Sequence, residues 1–401
     1  MSDSGSSLHL AVALDGAGWH PAAWREPGAR PTELLTPRYW SDLVIEAERG
    51  LLDFVTIDDS LGLQSSSRTE SDRRTDQVRG RLDAVLVAAR VAPLTSHIGL
   101  VPTVVVTHTE PFHIAKAIAT LDYVSSGRAG VQVRVSARPD EAAHFGRRTL
   151  PRISLDDLST PQAQELIGDL FAETADYVEA VRRLWDSWED DAEIRDVATG
   201  RFVDRDKLHY VDFEGRWFNV KGPSITPRPP QGQPLVSALA HQSVPYRLVA
   251  GSADIGYVTP HDATQVREIV AEIRAGQAAA GRAGETVHIL GDLVVFLDDS
   301  APAAEARRAR LDDLAGSPYV SDAPVFVGTP AQLADLLQEW HLAGLSGFRL
   351  RPGTIPHDLE QITRALVPEL QRRQAFRTGY AAGTLRGLLG LTRPANRYAA
   401  V

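Results

Sequence analysis

Residues 98–136 read Ile98-Gly-Leu-Val-Pro-Thr-Val-Val-Val-Thr-His-Thr-Glu-Pro-Phe-His-Ile-Ala-Lys-Ala-Ile-Ala-Thr-Leu-Asp-Tyr-Val-Ser-Ser-Gly-Arg-Ala-Gly-Val-Gln-Val-Arg-Val-Ser136. The first nine residues are an apolar run rich in β-branched side chains, the pattern of a strand buried on both faces. Ile114, Ala117, Ile118 and Leu121 then recur at helical spacing. Residues 127–136 make a second strand. Strand, helix and strand in so short a span imply parallel strands with a helix packed against them.

The same beat runs outward in both directions. Upstream, Leu8, Leu10, Val12 and Leu14 keep period two, and a loop containing Gly, Trp and Pro runs to Pro31. A helical stripe through Trp40, Val44 and Ala47 stops at Gly50. Residues 52–57 read as a strand with Asp58 and Asp59 just beyond its end. A helix follows, with Leu82, Val85, Leu86 and Ala89 expected on its buried face.

Downstream the pattern breaks. Residues 138–160 read as a loop, and a long helix then takes its apolar side from Val178, Val181, Leu184, Trp185 and Trp188. Residues 189–230 are acidic, then aromatic, then Pro-rich, an excursion rather than a repeating unit. Strands resume at 235–239, 255–258, 287–296 and 347–350, with helical patterns at 263–280, 301–315 and 330–343. A last helix is expected over 359–376, before a tail containing Gly and Arg. Eight strands alternating with helices favour closure, so the fold class is α/β: a single (β/α)8 TIM-type barrel. It is read as one domain over 1–401, with a large insertion after strand four at 138–230.

The chain has 401 residues, 43% hydrophobic and 23% charged, which suits a soluble globular protein. The absence of cysteine excludes disulfides, thiolate metal sites and a cysteine nucleophile. A net charge of -10 argues against a general nucleic-acid binder. The longest apolar runs fall short of the roughly 20 residues a membrane span needs. Met1–Ser7 is polar and lacks a signal pattern, so a cytoplasmic location is expected.

Common catalytic signatures are missing. Gly16 and Gly18 begin a dinucleotide fingerprint, but Pro21 stands where its third glycine belongs. His108 and His113 lie five apart, a poor spacing for two metal ligands on one helix, and no metal is expected. Asp58 and Asp59, adjacent at a strand end, should point apart rather than work as a pair.

Several segments in order carry a family resemblance. They are Gly18-Trp-His-Pro-Ala-Ala-Trp-Arg25, Glu46-Ala-Glu-Arg-Gly50, Ile98-Gly-Leu-Val-Pro-Thr103 with Thr107, Glu110-Pro-Phe-His113 and Leu121-Asp-Tyr-Val-Ser-Ser-Gly-Arg-Ala-Gly130. Leu184-Trp-Asp-Ser-Trp-Glu-Asp-Asp-Ala192, Phe218-Asn-Val-Lys-Gly-Pro223 and Thr384-Leu-Arg-Gly-Leu-Leu-Gly-Leu-Thr-Arg-Pro-Ala-Asn-Arg-Tyr398 complete the set. Together they resemble the bacterial-luciferase-like flavin-dependent monooxygenases, in the branch with nitrilotriacetate monooxygenase, dibenzothiophene sulfone monooxygenase and the pristinamycin synthase subunit. The resemblance implies a barrel, usually a homodimer or larger homo-oligomer. It would take reduced FMN from a separate flavin reductase and use O2 to oxygenate a small organic substrate through a flavin hydroperoxide.

The resemblance also implies site residues. Asp59 matches a strand-two aspartate near the flavin ring, and Thr103 and Thr107 match small hydroxyl residues on strand three and at its end. His108 stands where the family usually has tyrosine. Gln132 replaces an asparagine whose amide serves the ring. Arg134 shares strand parity with Gln132 and Ser136, so a barrel-facing Arg134 would need an anion or a carboxylate. The family's phosphate donors are altered. Ile167 and Phe171 take the places of a His and a Tyr, and Ala238-Leu-Ala-His241-Gln242 replaces a Gly- and Ser-containing loop. His241, Gln242 and Arg247 are the donors left there. Substrate contacts are expected near Trp19, His20 and Trp24, whereas Trp217 and Phe218 read as packing.

Two readings follow. One is an active two-component flavin-dependent monooxygenase. The alternative is a family member with a degenerate flavin phosphate site, acting as a non-catalytic partner subunit or ligand-binding protein, or using a deazaflavin.

Overall fold

A computed structural model describes residues 8–65, 72–154 and 156–399. Met1–Ser7, read above as a polar N-terminus, lies outside the described residues. Eight parallel strands form the centre: β1 (His9–Leu14), β2 (Phe54–Ile57), β3 (Gly99–Val105), β4 (Gly130–Arg134), β5 (Leu235–Leu239), β6 (Ile255–Val258), β7 (His288–Leu297) and β8 (Gly347–Pro352). Each pairs with its neighbour in sequence, and β8 returns to β1, so the sheet closes into a barrel. A further parallel strand, Val325–Gly328, pairs with the C-terminal half of β7 outside the ring.

Side chains alternate along each strand, so one set faces the helices and the other fills the barrel. Leu10, Val12, Val55, Leu100, Val131 and Val133 belong to the core shared with the helices. Ala11, Phe54, Val101, Leu235, Ile255 and Leu290 pack inside, where Leu385 and Leu389 of the C-terminal segment join them. Gly99 permits this closure. A Cβ there would lie 2.5 Å from Leu385 Cδ1.

Around the barrel run α1 (Pro37–Arg49), α2 (Ala84–Val91), α3 (Pro111–Val124), α4 (Pro161–Asp186), α5 (Ser243–Ser252), α6 (Ala263–Ala279), α7 (Ala301–Ala315) and α8 (Pro330–Leu342). Threonine caps followed by proline start α1, α4 and α8, which satisfies the free N–H groups of the first turn. The last helix ends at Arg372 rather than 376 and contains a π turn over Ile362–Leu366, next to Pro368.

Three expectations need correction. On α2 the buried side is Ala84, Val87, Ala88 and Val91, while Leu86 is exposed. The segment is apolar on nearly every side, so periodicity alone cannot select the face. The long helix α4 belongs to the ring, packed between α3 and α5, and the insertion therefore falls into two pieces around it. Trp188 lies just past its end, donating to Ser224 O at 2.7 Å. Finally, α7 and the strand at Val325–Gly328 form a second excursion between β7 and α8, packed at the barrel mouth on Val294 and Phe296. Among the described residues no helix is long and apolar enough to cross a membrane.

Candidate active site

The C-terminal strand ends open into a cavity of about 780 Å³. Its walls come from residues 15–21 after β1, Asp58, Ser60, Leu63 and Gln64 after β2, Arg134 at the end of β4 and Arg138 beyond it, His241 after β5, and residues 317–322 of the second excursion. Sites of barrel enzymes form at this end because eight variable loops converge there. Gly18 fixes the first wall. Its φ of +129° and an approach of 2.5 Å from an added Cβ to Gly353 O exclude larger side chains. This seats Trp19 and His20 on the end of β8 through backbone bonds to Pro352 O and Gly353 O.

Deeper in the barrel the packing turns from apolar to charged. Asp292 on β7 accepts from Arg349 Nε at 3.1 Å and Nη2 at 2.6 Å, and it also pairs with Arg351. Arg349 and Arg351 lie two apart on β8, so both enter the barrel while Phe348 and Leu350 face the helices. Arg349 Nη1 donates to Gln132 Oε1 at 2.5 Å, and Gln132 Nε2 donates to Thr103 Oγ1 at 3.1 Å. The Arg349 guanidinium lies 4.1 Å from the Tyr257 ring centroid, and that of Arg351 4.6 Å from Trp19. Arg351 Nη1 donates to Asp322 at 2.6 Å. Burial alone would push the Asp292 carboxyl up, but Arg349 and Arg351 hold it below the usual carboxylate range.

The mouth carries a second charged group. Arg81 donates to Asp58 at 2.8 Å and lies 3.5 Å from Asp15. Arg134 Nη1 donates to Asp59 O at 2.7 Å and stands 3.4 Å from Asp58. Arg134 Nε and Nη2 have no protein partner among the described residues. Burial raises the Asp58 pKa, yet Arg134 and Arg81 bring it below normal; burial and Asp58 keep Asp15 raised against Arg81. His241 Nδ1 lies 3.4 Å from Asp322, and its Nε2 is buried without a partner among the described residues. Burial lowers the His241 pKa, favouring neutral imidazole. His20 differs: Nδ1 accepts from Ala22 N at 3.1 Å and Nε2 meets Asp312 at 3.0 Å, so both ring nitrogens are engaged.

The structure thus separates the residues singled out from sequence. Arg134 and His241 line the large cavity, and Arg134 finds the carboxylate it needed in Asp58. Thr103 and Gln132 lie deeper and hold Arg349. Thr107 accepts from Ser136 N at 2.9 Å and lines a separate smaller pocket, as does His108. Gln242 is exposed at the start of α5, and Arg247 is exposed on it. Ile167 and Phe171 are half-buried on α4, Phe171 against the main core. Phe218 packs on Phe213 at 5.5 Å and edge-on to Tyr177 at 6.2 Å. Asp58 and Asp59 bind different partners, Asp58 the guanidiniums of Arg81 and Arg134 and Asp59 backbone N–H groups.

Asp59 accepts from Ala84 N at 2.9 Å, at the start of α2, and from Ser60 N at 2.7 Å. Burial pushes its pKa up to about 6 despite these donors. An acid raised this way favours folding only while protonated, so its contribution is lost as pH climbs from about 4 through 6. Asp59→Asn is therefore expected to stabilise the fold by about 1–2 kcal/mol at pH 8 and hardly at all at pH 4, measured by urea unfolding.

Sequence reasoning did not single out Arg349, Arg351, Asp292, Asp322 or Arg81. The available signal was Gly347-Phe-Arg-Leu-Arg351, two arginines at alternate positions of a strand whose other positions are apolar.

Comparison with known proteins agrees with this architecture. Residues 19–347 match the model of the luciferase-like monooxygenases. The chain is 31% identical to the N-acetyl-S-(2-succino)cysteine monooxygenase of Bacillus subtilis (strain 168), with 100% of each chain covered. It is 29% identical to nitrilotriacetate monooxygenase component A of Aminobacter aminovorans, covering 98% of both. The crystal structure of a long-chain alkane monooxygenase superposes with a TM-score of 0.83 at 22% identity, covering 96% of this chain and 95% of that one. The protein is an oxidoreductase enzyme, and its chain belongs to the luciferase-like monooxygenase family.

Proposed function

We propose that this protein is the oxygenating component of a two-component flavin-dependent monooxygenase acting on a small organic substrate, with reduced FMN delivered by a separate flavin reductase and O2 as co-substrate. The observation that carries the reading is the large cavity at the strand ends, in a chain of this family. Its volume lies within the 300–1,000 Å³ range typical of small-molecule sites. Buried donors without a protein partner among the described residues stand in or beside it, at His241 Nε2, Arg81 Nε and Arg351 Nε. The residues present therefore suit a flavin.

When bound, reduced FMN supplies the electrons that let one oxygen atom enter the substrate while the other leaves as water. The chain's own groups do the rest. Arg134 offers Nε and Nη2 to a flavin oxygen, with Asp58 and Asp59 O holding its other end. Neutral His241 presents Nε2 as donor or acceptor. Trp19, stiffened by Arg351 against its ring, gives a flat apolar wall that excludes water. Beneath the cavity, Thr103, Gln132 and Arg349 form a fixed polar network, and Asp59 ties the loop after β2 to the start of α2.

The alternative of a degenerate flavin phosphate site, in a non-catalytic partner subunit, a ligand-binding protein or a deazaflavin user, is not favoured: the mouth is open rather than filled by side chains, and the relatives are monooxygenases. The test is a coupled assay with NADH, a flavin reductase, FMN and labelled dioxygen across anionic, sulfur-containing and apolar substrates. Chain-dependent incorporation of a single labelled oxygen is expected. Peroxide release at the reductase's own rate with every substrate class would contradict the reading.

A further inference from the structure

A second cavity, of about 210 Å³, lies between the end of β3 and α4 and shares no lining residue with the first. It has room for roughly seven waters or one small anionic group. Three independent features meet in it. One is the start of α3, a 14-residue helix with no side-chain cap among the described residues. Pro111 opens it without an N–H, so its positive dipole end faces an anion through the N–H groups that follow. Another is the guanidinium pair Arg147 and Arg148. The last is His108, 4% exposed, whose Nε2 is buried without a hydrogen-bond partner among the described residues.

The His108 ring is held in place by Phe145, stacked at 5.4 Å and 12°. Two carboxylates share the pocket. Arg148 grips the buried Glu173 with bonds of 2.7 and 2.5 Å, whereas Arg147 pairs with Glu110 at an exposed position. An exposed pair of this kind is worth little, so a stronger anion can take Arg147 from Glu110. The tail of β4 lies between this pocket and the large cavity. Ser136 N donates to Thr107 Oγ1 here, while Arg134 and Arg138 on either side line the other space.

We propose that this pocket binds a phosphate group, bonded by His108 Nε2, Arg147 and the first turn of α3. The phosphate belongs either to the flavin in the neighbouring cavity, which rests on the function proposed above, or to a separate phosphorylated small molecule, which does not. A phosphate site here would replace the donors missing at Ile167, Phe171 and residues 238–242.

Wild type, His108→Phe and Arg147→Ala are titrated with FMN, riboflavin and inorganic phosphate, with thermal melts to verify folding. Phenylalanine keeps the stack on Phe145, and Arg147 is exposed, so both variants should fold. If the flavin supplies the phosphate, each variant weakens FMN roughly tenfold or more and leaves riboflavin unchanged. If a separate molecule supplies it, wild type binds inorganic phosphate, both variants lose it, and the FMN to riboflavin ratio stays constant. Folded variants that bind all three probes like wild type, or a wild type that neither prefers FMN nor binds phosphate, overturn the proposal. Failure of both flavins to bind would instead count against the flavin reading, leaving the phosphate arm to decide the pocket.

Discussion

An Asp292→Ala variant is expected to lose roughly 3–5 kcal/mol of folding stability, seen as a lower urea midpoint at pH 7. Asp292 is fully buried and neutralises two buried guanidiniums, those of Arg349 and Arg351. Removing it leaves two cations inside the barrel, where desolvation far outweighs any cavity effect. Arg351 keeps Asp322 and Arg349 keeps Gln132, which limits the loss. Asp322→Ala should cost well below that figure, because its side chain is 38% exposed and water can replace it. The pH dependence has a definite sign. The Asp292 pKa is depressed in the fold, so its contribution is complete above about pH 4 and is lost as pH falls through the folded value. Asp292→Ala should therefore flatten the acid limb of the stability curve.

Arg134→Ala is expected to weaken FMN binding by about 1.5–3 kcal/mol, as for a hydrogen bond from a charged donor. This is roughly a 10- to 150-fold rise in Kd. Riboflavin should weaken equally, because Arg134 faces the large cavity rather than the pocket at His108. Arg138→Ala is the control. The Nε and Nη2 edge of that guanidinium is held by Asp140 at 3.0 and 2.6 Å, which leaves only Nη1 to offer a ligand, and its effect on Kd should be small. Fluorescence titration of the two variants side by side checks the contrast.

The barrel was legible because its strands are apolar on both faces, a pattern few other elements share. Residues 98–136 alone show the unit from which the ring is built. The inward set on β4 followed from parity, which puts Gln132 and Arg134 on one face. The face of α2 was not legible, because Ala84–Val91 offers apolar side chains all round and only tertiary packing selects among them. The second excursion escaped for another reason. Its helix, α7, follows a strand as a ring helix does, and only the spatial position of α8 shows that α7 is extra. Arg349 and Arg351 were not singled out: the strand was read over residues 347–350, so the pair at alternate positions was cut before Arg351. In a closed barrel whose alternate residues Phe348 and Leu350 face helices, the arginines have nowhere to go but inside. The family's phosphate donors could be seen to be absent from sequence. The pocket proposed above to take a phosphate was not legible, since only the fold brings Arg147 to His108 and the start of α3.

The most direct measurement is a titration of the purified protein with oxidised FMN, and with reduced FMN under anaerobic conditions, followed by flavin fluorescence and absorbance. Saturation at one flavin per chain, weakened in Arg134→Ala, is the predicted result. A flat response to both redox forms at high micromolar concentration would mean that the cavity at the strand ends does not serve a flavin.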